Sequence, residues 1–435
     1  MDIVAGLCAR YFPASREELA IGEVSVSKIA QEFGTPLFIY DRGLIEARWR
    51  LLRETLPPEF HVAYSVKANP NRAILRSFLR LGARLEIASA GEFCQALSAG
   101  CKPANVIFAG PGKTPAELEM VLAQGIGEIH AESQLEIERI ASIAARLGVR
   151  ARVAIRVNPG GEAEGGAMRM GGRPAAFGVD EENIDPVLDR LLSFPSIEFG
   201  GIHLFAGTQI LDANILATQY AKGLEIGRHI AEKTGRSLPA LDFGGGLGIP
   251  YFPHEKDLDS AQLRENLEAL WTGVRNDPAF SGTSFLVEPG RYLIGEAGIY
   301  LTTVTDVKTS RGKHFVIVDG GMHHHLAASG NLGQTIKRNY PIAVVNKLTQ
   351  AATTTVEVAG PLCTPLDVLG RSVALPHVEP GDLIAVFQSG AYGRSASPLG
   401  FLSHPAPAEV LVDGQQFTLI RRRGDFSDYL RDQSD

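Results

Sequence analysis

The chain has 435 residues, 45% of them apolar and 21% charged, an ordinary globular mixture long enough for two or three domains and a core without covalent staples. Its formal charge of −7 gives no reason to expect a nucleic-acid or membrane-surface partner. Cys8, Cys94, Cys101 and Cys363 are too scattered for a disulfide framework or a zinc knuckle, and the first residues, MDIVAGLCARYF, lack the basic start and apolar run of a signal peptide, so a reducing cytoplasm is the expected location.

PLFIYD (36–41) is the first predicted strand, and the segment 1–40 is expected to join a C-terminal β domain. From about 60 to 290, short β-branched runs alternate with amphipathic stretches, the pattern of βα units around a parallel sheet. Strands are predicted near 61–66, 83–88, 105–110, 127–131, 152–157, 199–205, 240–244 and 285–289. PNRAILRSFLRLG, AELEMVLAQG and SQLEIERIASIAARLG read as helices, the last with a capping box of Ser133 and Glu136 and a C-cap at Gly148. About eight such units in roughly 230 residues match a TIM (β/α)8 barrel, with an open doubly wound sheet as the alternative. After 290, short runs such as IYLTTVTDV, HFVIVDGG, TTVEVAG, DLIAVFQSG, AEVLVDG and QFTLIRRR predict a mostly antiparallel β domain. The expected division is 1–40 with the β domain, 41–290 as the barrel, and 291–435 as the β domain proper.

A barrel carries its chemistry at the C-terminal ends of its strands. Lys67 follows the first strand in YSVKANPN, where desolvation would make its amine a Schiff-base former; a surface lysine lying on its stem is the plainer reading. His203 ends strand six and could lie flat on a ring or be structural. Gly244, Gly245 and Gly246 in DFGGGLG could bring backbone N–H groups to a phosphate, or simply make a tight turn. Glu288 and Arg291 in VEPGRY end strand eight, where a ring nitrogen and a phosphate could be met, or a rim ion pair formed. Together these supply what pyridoxal 5'-phosphate requires: one amine, one stacking group, one carboxylate and a phosphate cup.

YSVKANPN, EIASAGE, FGGGLG, EPGRY, GPLC and GAYG resemble the fold-type III pyridoxal-phosphate decarboxylases, which include diaminopimelate and ornithine decarboxylases. The resemblance implies an alanine racemase-like barrel and a homodimer with shared active sites. It implies that Lys67 links the cofactor, His203 stacks on its ring, and Glu288 pairs with the ring nitrogen. It assigns Gly244, Gly245, Gly246, Arg291 and Tyr392 to the phosphate, and Cys363 to a position beside the reacting carbon of the partner's site. Glu288 would favour decarboxylation over racemisation, because a carboxylate keeps the ring nitrogen protonated. Cys363 or Lys67 would return the proton.

A narrower likeness lies in AMRMGGRPAAFGVD, VDGGMHHH, KRNYP, AGPLCTPLDVLG and SGAYGRSASPLGFLSHPAPAEVL. These are similar to a subgroup holding glutamyl-[acyl-carrier-protein] decarboxylases and exosortase-associated decarboxylases. Thr364 stands after the cysteine, where diamine-specific relatives carry an acid; Asp367 sits elsewhere on the motif. Ala176 replaces the family's lysine before Phe177–Gly178, and HHHLAASGN replaces an arginine-rich stretch, with Arg338 and Tyr340 as substitutes for binding the substrate carboxylate. His323, His324 and His325, read as strand residues, cannot all converge on a metal, so no metal is expected and one or two of them would line the substrate pocket. The expected reaction is decarboxylation of an amino acid or a glutamyl-type carrier thioester. Diaminopimelate decarboxylase and a non-catalytic relative are the alternatives. Arg421, Arg422 and Arg423 are the one local candidate for docking an acidic carrier, or merely a solvated strand end.

Overall fold

The structure, a computed structural model, describes residues 3–160, 168–169, 174–205, 207–332, 334 and 336–434. The chain forms two compact units: Trp49–Ile249 with Lys256–Tyr292, and Met1–Arg48 with Pro250–Glu255 and Leu293–Asp435.

The first unit is a closed barrel of eight parallel strands, β1 (Phe60–Ser65), β2 (Arg84–Ile87), β3 (Val106–Phe108), β4 (Glu128–Ala131), β5 (Ala151–Asn158), β6 (Ile197–Leu204), β7 (Ala240–Asp242) and β8 (Ser284–Val287). They pair in chain order, and β8 closes onto β1 through Phe285 opposite Phe60. Every strand predicted between 60 and 290 is present, which decides against an open sheet. Helices α1 (Arg72–Arg80), α2 (Ala90–Ser98), α3 (Pro115–Ala123), α4 (Gln134–Leu147), α5 (Ile184–Leu192), α6 (Ala213–Thr234) and α7 (Ser260–Val274) follow the strands. Between α6, α7 and the sheet, Phe60, Tyr220, Phe243, Phe285 and Trp271 form an aromatic cluster, with Phe60 and Trp271 centroids 4.6 Å apart.

Sequence-level capping holds at α4 with one change. Ser133 accepts from the Glu136 N–H and Gly148 closes the helix in the left-handed region at φ 67. Glu136 does not return a bond to Ser133; its carboxylate takes the Glu132 N–H and the Lys113 ammonium instead. The reciprocal box forms at α3, between Thr114 and Glu117. In β6 the Gly200–Gly201 pair marks a register shift against β5, and a Cβ on Gly201 would stand 2.0 Å from the Ala240 carbonyl. Only glycine lets β7 approach this closely.

The second unit is built on a mostly antiparallel sheet, as expected, made mixed by two parallel pairings among the described residues. Leu37–Asp41 lies between Gly298–Ser310, antiparallel, and Ala408–Asp413, parallel. Lys313–Val318 and Thr354–Ala359 also run parallel. Both parallel pairs join segments distant in sequence, whose long connections permit a crossover. Val368–Leu375 and Ile342–Val344 add strands that no sequence run marked. Leu37, Ile39, Ile299, Leu301, Ala385 and Val410 lie in its core. Among the described residues no helix is long and apolar enough to cross a membrane.

Candidate active site

The chemistry-bearing residues of the barrel gather where its strands end. Lys67 sits in a one-turn helix, Val66–Ala68, directly after β1. Its side chain is 47% exposed, so about half of it is removed from solvent. Its charge is compensated by Glu86 of β2, 3.1 Å away and buried, which also accepts from the Ser65 hydroxyl. The turn is pressed against the loop after β8, since a Cβ on Gly290 would meet the Ala68 Cβ at 2.9 Å.

Inside the mouth, Glu288 lies one residue beyond β8 and is buried. His203 Nε2 stands 3.3 Å from Glu288 Oε2, and His130 Nδ1 stands 3.9 Å from Oε1. The two imidazoles, from β4 and β6, stack with centroids 4.4 Å apart. Glu288 Oε1, Asp242 Oδ2 and both His203 nitrogens are buried without a hydrogen-bond partner. Buried polar atoms are rarely left so, and an unsatisfied set converging on one spot is a binding surface. These ligand atoms would also satisfy the spacing of a metal cluster of His130, His203 and Glu288.

The two carboxyls at this spot divide their proton unequally. Burial and then the Glu288 charge push Asp242 well above the carboxylate range. Burial works against the Glu288 charge too, but His203, His130 and Lys67 outweigh it and hold Glu288 below its usual value. Burial drives His203 down to about 4, so near neutral pH it is an uncharged ring. The result is one carboxyl, Glu288, held toward its anion beside another, Asp242, pushed toward its protonated form, whose Oδ1 accepts the Gly244 N–H at 2.8 Å.

Gly244, Gly245 and Gly246 follow β7 as predicted, and the backbone demands them. Gly244 and Gly246 have φ 66 and 106, and a Cβ on Gly244 or Gly245 would meet the Leu204 carbonyl at 2.5 Å or the Glu288 carbonyl at 2.9 Å. Arg291 opens the short helix Arg291–Ile294 three residues past Glu288. A rigid frame supports the mouth. Lys113, buried, donates to the Gly110 and His130 carbonyls and to Glu136. Glu132 holds Arg156 at 2.8 Å and caps the Gly110 and Gly178 N–H groups, while Arg156 lies over the Phe177 ring.

The remaining predicted residues belong to the other unit. Cys363 is exposed and Thr364 half-buried in the turn after Thr354–Ala359, and Asp367 is buried beneath it, accepting from the Met322 and Leu362 N–H groups. Asp367 thus holds the cysteine loop in shape. Tyr392 has φ 55, a left-handed conformation uncommon outside glycine. His323, His324 and His325 lie in turns, not on a strand, and all three are buried, so the alternation argued from sequence does not apply. His324 bonds Tyr300 and the Pro405 carbonyl, and His325 bonds Ser389. Arg338 is exposed beside His254, and Tyr340 is buried against Tyr251. The arginine triplet is already engaged: Arg421 with Glu409, Arg422 with Asp425 and Asp428, Arg423 with the Pro36 and Phe33 carbonyls. It offers little spare charge for a carrier.

The family model for the pyridoxal-dependent decarboxylase, pyridoxal binding domain, matches residues 42–295. The chain belongs to the pyridoxal-dependent decarboxylases. It is 40% identical over 416 residues to the L-glutamyl-[BtrI acyl-carrier protein] decarboxylase of Niallia circulans, covering 95% of this chain and 97% of that one. It is 33% identical to the diaminopimelate decarboxylase of Aquifex aeolicus, over 95% of this chain and 94% of that one. The crystal structure of the diaminopimelate decarboxylase of M. jannaschii in complex with L-lysine superimposes with a TM-score of 0.88 at 26% identity, over 96% of both chains. The chain is a pyridoxal-phosphate-dependent carboxy-lyase with an alanine racemase-like fold. Glu86, His130 and Asp242 are the site residues that sequence reasoning missed; Glu86 lies within the family-type segment EIASAGE, and the other two lie within predicted strands.

Proposed function

We propose that the chain decarboxylates a glutamyl-type amino acid held as a thioester on a carrier protein, within a biosynthetic pathway. The observation that carries this is Thr364, half-buried in the cysteine loop, with the nearby acid Asp367 buried and committed to backbone N–H groups. A diamine's distal ammonium would find no free carboxylate there. The 40% identity to a carrier-dependent glutamyl decarboxylase supports the same reading over diaminopimelate.

The site residues fit pyridoxal phosphate, which when bound supplies a sink for the electrons released as carbon dioxide leaves. Lys67 is the amine that would carry it, standing open to solvent with Glu86 fixing its ammonium. Glu288 Oε1, anionic, buried and without a donor, would accept the ring N–H. His203, His130 and Lys67 hold Glu288 toward its ionised form against the cost of burial. His203 would lie against the ring, its uncharged imidazole backed by His130. Gly244, Gly245 and Gly246 would present N–H groups to the phosphate, with Arg291 and Tyr392 as further ligands. Cys363 would enter the site of a second subunit in a homodimer, and it or Lys67 would place a proton on the substrate α-carbon. His323, Arg338, Tyr340 and Thr364 are the proposed substrate contacts, and the cytoplasm is the proposed location.

The test is carbon dioxide release from three substrates: L-glutamyl thioester on a carrier, free L-glutamate and free meso-diaminopimelate. The thioester should be strongly preferred. Preference for free diaminopimelate would return the chain to lysine synthesis, and a purified protein that stays colourless with added cofactor would revive the non-catalytic reading.

A further inference from the structure

One hollow of the β unit has a basic lining in a chain whose formal charge is −7. It has a volume of about 570 Å³, within the range of small-molecule sites. Lys337, Arg338 and Arg371 face it across Tyr251, Phe252 and Tyr340, and its described lining contains no aspartate or glutamate. Nor does any of the three cations form an ion pair among the described residues. Lys337 donates to Asn331 Oδ1, Arg338 donates to His254 Nε2 at 2.7 Å, and Arg371 is tied to Asn339 through its main chain. Arg338 also lies 5.4 Å over the Phe252 ring. A guanidinium bonded to a neutral imidazole keeps its full charge. This contrasts with the arginine triplet 421–423, whose guanidinium groups are already taken up by acids and carbonyls.

The hollow does not end at the cations. It shares Val4, Ile342, Ala352 and Ala374 with an adjoining hollow of about 510 Å³, which runs beside the helix Ile3–Tyr11. A compact inorganic anion would fill only the charged lobe. An extended ligand with an anion near one end and a long body of mixed polarity matches both.

We propose that this groove takes the phosphate-bearing arm by which a carrier protein presents its thioester. Arg338, Arg371 and Lys337 bind the phosphate, and the body of the arm lies along the adjoining hollow, where Ser15 and Gln350 stand among apolar side chains. The assignment rests on the carrier-tethered reading above. Guanidinium groups suit phosphate because their donors meet two of its oxygens at once.

The test uses the holoenzyme with two glutamyl thioesters, one of phosphopantetheine and one of pantetheine without the phosphate. The ratio of their kcat/KM values should fall about tenfold in Arg371→Gln, through KM, and recover in Arg371→Lys. Calorimetric titration with phosphopantetheine alone should show binding that weakens with added salt and is lost in Arg371→Gln. An unchanged ratio, or inorganic phosphate binding as tightly as phosphopantetheine, overturns the assignment. If the wild type uses both thioesters while the ratio stays fixed, only the groove is misassigned. If it uses free amino acid and neither thioester, the carrier reading falls and the groove with it.

Discussion

Replacing Glu288 with glutamine removes one negative charge and almost nothing else. The side chain is 5% exposed, its Oε2 faces His203 Nε2 at 3.3 Å and its Oε1 is unsatisfied. Glutamine has the same shape, and burial, the largest cause raising Asp242 beside it, is unchanged, so the fold should survive. What is lost is the anionic partner of a cationic ring. A hydrogen bond to a charged group stabilises by about 1.5–3 kcal/mol. Two unit charges some 4 Å apart at an effective dielectric near 20 attract by about 4 kcal/mol. A loss of about 2–4 kcal/mol from the transition state slows the reaction roughly 30- to 1000-fold. The assay is carbon dioxide release at saturating cofactor, with loading checked by visible absorbance. A fully loaded Glu288→Gln variant within about threefold of wild-type kcat/KM would refute the reasoning. Glu288→Arg, which reverses the charge, should be at least as slow.

Gly245→Ala should weaken cofactor binding by about tenfold or more, because its Cβ would sit 2.9 Å from the Glu288 carbonyl and push the two loops apart; equal affinity in an absorbance titration would contradict the glycine cup. Lys113→Met strands Glu136 and two carbonyls in the interior and should destabilise by about 3 kcal/mol, read as a fall of several degrees in Tm; an unchanged Tm would show that Lys113 does not brace the barrel mouth. Burial, the leading cause in each case, pushes His323, His324 and His325 from 6.5 down to about 4, 2 and 3. In the unfolded chain they take up protons as pH falls below 6.5, while in the folded chain they do not, so stability is full above that pH and drains away beneath it. Each contributes about 1.4 kcal/mol per pH unit, together about 4 kcal/mol per unit between pH 6 and 4. Denaturant titrations at pH 7, 6 and 5 should show this slope reduced by about a third in His325→Gln; a flat profile would show that the histidines titrate alike in the folded and unfolded chains.

The barrel was legible because its strands are short β-branched runs between capped amphipathic helices, and parallel strands buried on both faces read as continuous apolar segments. The β unit was less so. Leu37–Asp41 read clearly as a strand, but its parallel neighbour comes from Ala408–Asp413, and nothing local encodes a pairing at such separation. At the site, Lys67, His203, Gly244 and Glu288 were visible because each sits at a strand end, where polar residues interrupt an apolar run. His130 and Asp242 lie inside the runs predicted as strands, so a single sequence cannot separate them from structural polar residues of a barrel interior. Glu86 also lies inside its strand, in EIASAGE, a segment noted only for its likeness to the family. The pairing of Lys67 with Glu86 was not legible because the partner comes from the neighbouring strand. The histidine triplet was misread for a related reason: HFVIVDGG suggests that the strand runs on, but it ends at Val318 and the chain turns after the glycines.

The central claim is that the amine of Lys67 carries the cofactor. Borohydride reduction of the holoprotein, followed by digestion and mass spectrometry, tests it directly. The account predicts a phosphopyridoxyl adduct on Lys67, and a Lys67→Ala protein that takes up no label. Label on Lys113 or another lysine, with Lys67 unmodified, would contradict it.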